Sequence, residues 1–595
     1  MNEEQKTCQN CKNQFVIESE DFEFYKKIDV PSPTWCPECR LIRRLMWRNE
    51  RMLKRATCGL CQKPMLSMYS KESGINGFCQ DCWWSDKWDP IEYGRDYDFS
   101  KPLFQQFKEL SHEVPYMALQ IRNSVDVPYA NFVADGKNVY MSFSTVEESE
   151  DVFYSKNIDS SRKIVDSFEF SNCENCYWGI KGDKDYNTKF LFDCRGCIDS
   201  SFLFDCANCQ NCFMSSGLRN KSYYFRNQQC TKEEYQKLLD AISFGSNKTL
   251  FDLKEEFKKM KESTMRKFAA VTNCVNFSGD DLRDSKNALF SFSGYGYENV
   301  KYIFRSLDIK DSMDTVNAAH VELFYEFMAG GGNGGQNVKF SFAALPALVG
   351  VEYMHYSGSS SHCFASIGLR NKQYCILNKQ YTKEEYEVLL PKIKQHMMDI
   401  PYIDQKGRVY KYGEFFPPEL SPFGYNETIA QEYFPLTKAR ALAQGFSWKD
   451  PEEKNYAITK KPEDLPDAIT DVPDSITNEV IGCMHEGTCT HQCTTAFKII
   501  PQELEFYRRM KLPLPRLCPN CRHYERLAQR NPLKLWKRQC MCNQTKTEDQ
   551  RLTTYRNTAT HQHGNAPCPN TFETSYAPAR KEIVYCEQCY QVEVV

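Results

Sequence analysis

Phe190-Leu-Phe-Asp-Cys194 returns 12 residues later as Phe202-Leu-Phe-Asp-Cys206, a short apolar run closed by a polar turn. Working outward, apolar residues recur every 11 to 13 positions at Tyr140, Phe153, Val165, Tyr177, Phe190, Phe202 and Phe213. A second series with a similar interval runs through Phe292, Phe304, Val316, Met328, Phe340, Tyr353 and Phe364. The unit reads as a short strand followed by a turn. Stacked units of this kind predict a parallel β-solenoid, in which each strand pairs with its neighbours above and below and the repeated apolar position forms a ladder through the interior. Spacing alone leaves open whether one 12-residue unit or two close a coil, and a series of antiparallel hairpins is the alternative.

The two series are copies of one another. Gly217-Leu-Arg-Asn-Lys221 recurs as Gly368-Leu-Arg-Asn-Lys372, and Thr231-Lys-Glu-Glu-Tyr235 as Thr382-Lys-Glu-Glu-Tyr386, at a constant offset of 151. Thr-x-x-Glu is a capping box, so each copy is expected to end in a helix that covers the last strands. The first copy carries Cys173, Cys176, Cys194, Cys197, Cys206, Cys209 and Cys212, which at that offset become Phe324, Phe327, Leu345, Leu348, Ser357, Ser360 and Cys363. Replacement by mostly apolar or small residues favours cysteine as a small packing residue there rather than as a ligand.

The cysteines nearer the ends behave differently. Cys8-Gln-Asn-Cys11 is followed by Cys36-Pro-Glu-Cys39, and Cys58-Gly-Leu-Cys61 by Cys79-Gln-Asp-Cys82. A two-residue spacer lets one tight turn aim both sulfurs at one ion, and four thiolates leave no open coordination position, so these sites are expected to hold structural zinc. Residues Cys493 to Cys540 overlay Cys11 to Cys58 without a gap at an offset of 482, matching Phe15 with Phe497, Phe24-Tyr25 with Phe506-Tyr507, and Cys36-Pro-x-Cys39-Arg40 with Cys518-Pro-x-Cys521-Arg522. The third site is assigned to Cys489, Cys493, Cys518 and Cys521, with Cys483, His485 and His491 as substitutes. The fourth is assigned to Cys540, Cys542, Cys586 and Cys589 across an insertion that also holds His561, His563 and Cys568. About four Zn2+ ions per chain are expected.

Cys-x-x-Cys, an aromatic four residues on, Glu-Phe-Tyr, a Pro and then Cys-Pro-x-Cys-Arg resembles the "probable zinc-binding domain" family of zinc ribbons, over about 50 residues at each end. The whole layout resembles multi-zinc-ribbon proteins of candidate-phyla bacteria. The resemblance implies zinc and supplies no reaction.

Basic segments follow the knuckles. Arg40, Arg43, Arg44, Arg48, Arg51 and Arg55 share a stretch in which Leu41, Leu45 and Met52 fall at helical spacing, and Arg522, Arg526 and Arg530 keep the sign in the second copy. Such a stripe suits successive phosphates, so contact with nucleic acid or a ribonucleoprotein is one expectation. A solvated helix face paired with Glu18, Glu20, Asp21 and Glu23 is the other.

These features divide the 595 residues into tandem zinc ribbons (1–88), a connector (89–125), a first repeat domain with helical cap (126–245), a connecting helix (246–270), a second repeat domain with helical cap (271–395), a Pro- and charge-rich connector (396–480) and a second tandem ribbon module (481–595). The fold class expected is multidomain and mainly β. A net charge of −3 says little about partners. Met1-Asn-Glu-Glu-Gln-Lys6 lacks the apolar core of a signal peptide, and no run of apolar residues is long enough to cross a bilayer, so a cytoplasmic protein without a membrane partner is expected. No Ser/His/Asp order, paired-carboxylate motif or open metal triad stands out. The expectation is therefore a non-catalytic binding protein, with a protein–protein scaffold as the alternative and a polymer-acting enzyme on the solenoid groove as the remote one.

Overall fold

The computed structural model describes residues 3–330, 334–344, 346–450, 456–542, 557–564 and 566–594. The protein is mainly β, built around two large sheets whose pairings are parallel apart from the closing Ser222–Phe225/Gln228–Gln229 pair of the first. The helices that matter below are α1 (Ser19–Lys27), α2 (Pro37–Leu45), α3 (Leu103–Glu113), α4 (Lys232–Asp240), α5 (Asn247–Ser263), α6 (Lys383–Asp399), α7 (Pro501–Arg509) and α8 (Pro519–Leu527). Among the described residues no helix is long and apolar enough to cross a membrane.

In the first sheet a residue pairs with the one 12 or 13 positions on: Phe143 with Asn131 and Lys156, Lys156 with Phe168, Phe168 with Ile180 and Ile180 with Phe192. A second ladder runs beside it through Val139, Val152, Ile164, Cys176 and Thr188, and the two meet in the strand Tyr186–Arg195. One 12-residue unit therefore brings the chain back to the same ladder. Backbone conformation explains how so short a unit manages it. From Glu148 to Arg226 every third residue has a positive φ, Gly196 and Gly217 among them, so each unit turns four corners. Asn and Asp tolerate that region and fill many of the corners. Their amides also bond along the stack, Asn175 Nδ2 to Asn187 Oδ1 at 2.8 Å and Asn187 Nδ2 to Asp199 Oδ1 at 2.6 Å.

Small polar side chains satisfy the amides inside. Ser142 Oγ accepts from the N–H of Ser155, Ser155 Oγ from Ser167, and Ser167 Oγ from Gly179. A parallel column passes through Ser149, Ser161, Cys173, Asp185 and Cys197. Cys173 thus occupies a serine position, a buried thiol that accepts the next N–H.

The aromatic ladder lies elsewhere than expected. Because alternate residues of a strand face opposite ways, Val139, Val152, Ile164 and Cys176 form the inner cluster. The neighbouring Phe153, Val165, Tyr177, Phe190 and Phe202 belong to a second cluster shared with α5 and the C-terminal module. The second sheet does the same, with Val300, Ile309, Val321 and Val338 inside and Phe304, Phe340, Tyr353 and Phe364 outside, against α3 and the N-terminal module. The aromatic ladder is thus a surface on which other segments pack.

Docking crosses the chain. The N-terminal module packs on the second sheet: Tyr25 meets Tyr325 edge-on at 5.7 Å, and Arg40 of α2 lies over Tyr302 at 5.5 Å. The C-terminal module packs on the first: Tyr507 meets Tyr177 at 5.9 Å, and Arg522 of α8 lies over Tyr154 at 4.5 Å. Helix α3 precedes the first sheet yet packs on the second through Phe104 against Tyr353 and Phe107 against His355. Helix α5 precedes the second yet packs on the first through Phe257 against Phe192 and Phe202. The segment after α6 covers its neighbours with side chains, Tyr410, Phe415 and Phe416 being fully buried.

Candidate metal centres and a basic cleft

Each cysteine cluster is assembled from a short antiparallel pair and a helix start. Glu4–Thr7 and Gln14–Ile17 pair to present Cys8 and Cys11, while Cys36 is the residue before α2 and Cys39 sits in its first turn. Lys54–Thr57 with Pro64–Ser67 does the same for Cys58 and Cys61, opposite Cys79, which precedes the helix Gln80–Trp83, and Cys82 within it. One hydrogen bond marks the position of the first cysteine in every copy. The Cys36 N–H donates to Cys8 Sγ at 3.2 Å, Cys79 to Cys58 at 3.3 Å, Cys518 to Cys483 at 3.2 Å and Cys586 to Cys540 at 3.3 Å.

In the third cluster the structure brings the expected cysteines into two groups. Cys483, not Cys489, is the counterpart of Cys8, and it groups with Cys493, Cys518 and Cys521. Cys489 instead joins His485 and His491 around Cys521. Sequence overlay missed this because the knuckle is lengthened from two intervening residues to nine, which moves its first cysteine upstream. In the fourth cluster Cys540, Cys542, Cys568 and Cys589 come together, so Cys568 is a further candidate. Cys586 lies beside them, its Sγ 4.0 Å from that of Cys568, and His563 Nε2 is 3.2 Å from Cys542 Sγ and 3.4 Å from Cys589 Sγ. His561 bonds Glu593 at 2.7 Å instead.

The donor geometry fits a tetrahedral ion. Metal–sulfur bonds of about 2.3 Å imply sulfur–sulfur edges of roughly 3.8 Å. The Cys11–Cys36, Cys61–Cys79, Cys483–Cys521 and Cys493–Cys518 pairs are 3.7, 3.8, 3.8 and 3.9 Å apart. Crowded thiols cannot all ionise together. Hydrogen bonds from Cys36 and Cys39 hold Cys8 far below the usual thiol range, while Cys39 is driven far above it. For Cys58, burial pushes up, but the N–H groups of Cys61 and Cys79 outweigh it and bring the thiol down to about 6. Burial pushes Cys82 up to about 12. A bound cation would relieve that conflict by stabilising every thiolate at once.

The basic stretch after the first knuckles turns inward. Arg40 and Arg44 both reach Asp314, at 2.7 and 3.2 Å; Arg43 reaches Glu326 at 2.8 Å and Glu414 at 2.7 Å; and Arg48 reaches Glu50 at 2.6 Å. All four arginines are buried, as are Arg522 and Arg526, which share Asp166. Arg51 bonds Asn520 Oδ1 at 3.0 Å, Arg530 lies over the Tyr433 ring at 3.7 Å, and Arg55 is exposed. Apart from Arg55, then, the stripe serves docking. Its main carboxylate partners come from the sheets and the segment after α6, not from Glu18, Glu20, Asp21 and Glu23, because the helix face meets a sheet instead of water.

A cleft of about 800 Å³ opens between the first sheet, α5 and the C-terminal module. Tyr177, Trp178, Phe190, Phe192 and Phe204 line one wall, and Lys254, Lys258, Lys261, Arg266 and Arg516 stand around it. Lys254 Nζ lies 4.3 Å from the Trp178 ring centre, Lys261 Nζ 3.6 Å from that of Phe192, and the Arg266 guanidinium 4.5 Å from that of Phe204. Burial lowers the Lys254 ammonium and brings Lys261 down to about 7. Burial also raises Asp193, on the same wall, to about 6, and raises Glu525. No sequence motif announced this cleft, because its lining comes from six separate stretches between residues 177 and 582.

No family model matches the chain and no curated protein matches it. Among solved structures, one titled "Crystal structure of putative acetyltransferase from Desulfovibrio desulfuricans G20" is similar over 49% of this chain and 86% of its own, at 7% identity and a TM-score of 0.10.

Proposed function

We propose that this chain is a non-catalytic binding protein whose cysteine clusters hold structural zinc and whose cleft grips single-stranded nucleic acid. Four thiolates at tetrahedral edge lengths favour zinc over the harder divalent ions, and thiolates that remain reduced suit a cytoplasmic setting. The two parallel ladders are read as solenoids with a 12-residue coil. Helices α4 and α6 are read as their caps, supported by the capping boxes at Thr231 and Thr382 and by Tyr235 and Tyr386 against Tyr223 and Tyr374.

The cleft carries the functional reading. Aromatic faces accept bases of any sequence, and cations beside them track the backbone, the combination used by non-specific single-strand binders. Lys254 and Lys261 make no ion pair among the described residues, and a phosphate entering the cleft would favour the charged form that burial holds down in both. The buried arginines of α2 and α8 act in this reading as the clamps that build the cleft rather than as its contacts.

Fluorescence anisotropy with a labelled RNA 12-mer tests this. The chain is expected to bind at low salt, and Lys254→Ala with Lys261→Ala to weaken binding at least tenfold and flatten the salt slope by about 1.4, at roughly 0.7 per phosphate for single strands. Unchanged affinity in the variant, or no binding at low salt, would sink the proposal and leave a protein partner as the next reading.

A further inference from the structure

We infer that the third cluster is a two-metal centre, in which the thiolate of Cys521 bridges a first ion held by Cys483, Cys493 and Cys518 and a second held by His485, Cys489 and His491. The inference rests on the zinc reading above and goes beyond the one ion per cluster assumed there.

The two donor sets are separate and each is complete. Within each set the ligand atoms lie within 4.8 Å of one another, and Cys521 is the only member of both. Its Sγ is 3.8 Å from that of Cys483 and 3.7 Å from that of Cys489, the edge expected of a tetrahedron on either side. A tetrahedral ion accepts four donors, so seven ligands cannot serve one ion, whereas a thiolate sulfur has lone pairs enough to bind two.

The histidines are placed as ligands would be. Nδ1 of His485 and Nδ1 of His491 are both buried without a hydrogen-bond partner, a state a native side chain rarely keeps unless a ligand completes it. Their ring centres are 5.4 Å apart, and His491 is fixed by stacking on Tyr524 at 5.7 Å with an interplanar angle of 6°. All three added ligands sit in the extra length of this knuckle, between Cys483 and Cys493, where the first module has only Gln9 and Asn10. Five thiolates against two divalent ions leave one net negative charge, less than a lone four-thiolate site carries. With metal–sulfur bonds of about 2.3 Å and a near-tetrahedral bridge, the ions stand roughly 3.7 Å apart.

Zinc per chain, measured by mass spectrometry on the full-length protein, should fall by one in His485→Ala/His491→Ala and by one in Cys489→Ser. Zinc-edge X-ray absorption of the wild type should show zinc–zinc scattering near 3.7 Å that weakens in the histidine variant; the wild-type spectrum also answers if a variant fails to fold. An unchanged zinc count, or no zinc–zinc scattering in the wild type, would overturn the two-metal centre. Cys61→Ser, in the second cluster, separates the causes. Zinc lost there but not in the histidine variant refutes only the bridge, whereas a chain that binds no zinc refutes the zinc reading as well.

Discussion

Consider Asp166→Asn, which removes one negative charge and little volume from the seam between the first sheet and α8. Asp166 is fully buried and holds two guanidiniums, Arg526 at 2.8 Å and Arg522 more closely still. After the change Arg522 keeps Glu503 at 3.5 Å, but Arg526 keeps only the Tyr154 carbonyl at 2.8 Å and becomes a buried charge with no carboxylate. Breaking a buried pair from one side costs about 3–5 kcal/mol, a large share of the roughly 5–15 kcal/mol that holds a domain folded. The cost should appear where docking is lost. Peptide-level hydrogen exchange is therefore expected to rise in residues 501–527, more than 300 positions from the substitution, and in urea the C-terminal module should unfold first. Asp314→Asn is the mirror experiment. It strips Arg40 of its carboxylate while Arg44 keeps Glu326 at 3.4 Å, so a cost similar to within about 1 kcal/mol should instead loosen residues 19–45. A cost below about 1 kcal/mol, or exchange confined to residues near the substitution in sequence, would refute the crossed docking.

Other outcomes follow from the same geometry. On the zinc reading proposed above, chelation should unfold residues 1–88 before the sheets, seen as selective protease cleavage there that prior addition of zinc prevents, because ion binding and folding of such a site are one equilibrium. His355 is buried among Trp47, Phe107 and Phe416, and burial drops it from 6.5 to about 3. It binds a proton unfolded but not folded in that window, so its contribution is complete above pH 6.5 and is lost as pH falls towards 3, by about 1.4 kcal/mol per unit. His355→Phe should lessen the acid sensitivity of unfolding measured between pH 4 and 6 by that amount; an unchanged profile would count against the assignment.

The 12-residue interval, the duplicated blocks and the knuckle spacing were legible because each is a local rule. A stacked strand must repeat its length, a capping box needs its Thr and Glu three apart, and two sulfurs on one ion need a tight turn. The parallel sheets and the cysteine clusters near both ends followed from those rules, and Cys173 and Cys197 stand in one column with Ser149, Ser161 and Asp185.

Direction and partnership were not legible. Tyr177 and Val152 are both apolar residues of the first sheet, and only the fold shows that Tyr177 packs with α5 and α7 while Val152 joins a separate cluster with Val139, Ile164 and Cys176. Arg43 looks like a surface cation in sequence because its partners, Glu326 and Glu414, lie hundreds of residues away. Cys483 and Cys489 differ in sequence only by position, and it took the N–H of Cys518 to show that Cys483 stands where Cys8 does in the first cluster. Sequence alone determined what repeats and which residue types can bind metal, since both depend on neighbours along the chain. Which faces close on one another, which charges are buried and where a cleft remains depend on contacts between distant segments, and only the tertiary structure decided those.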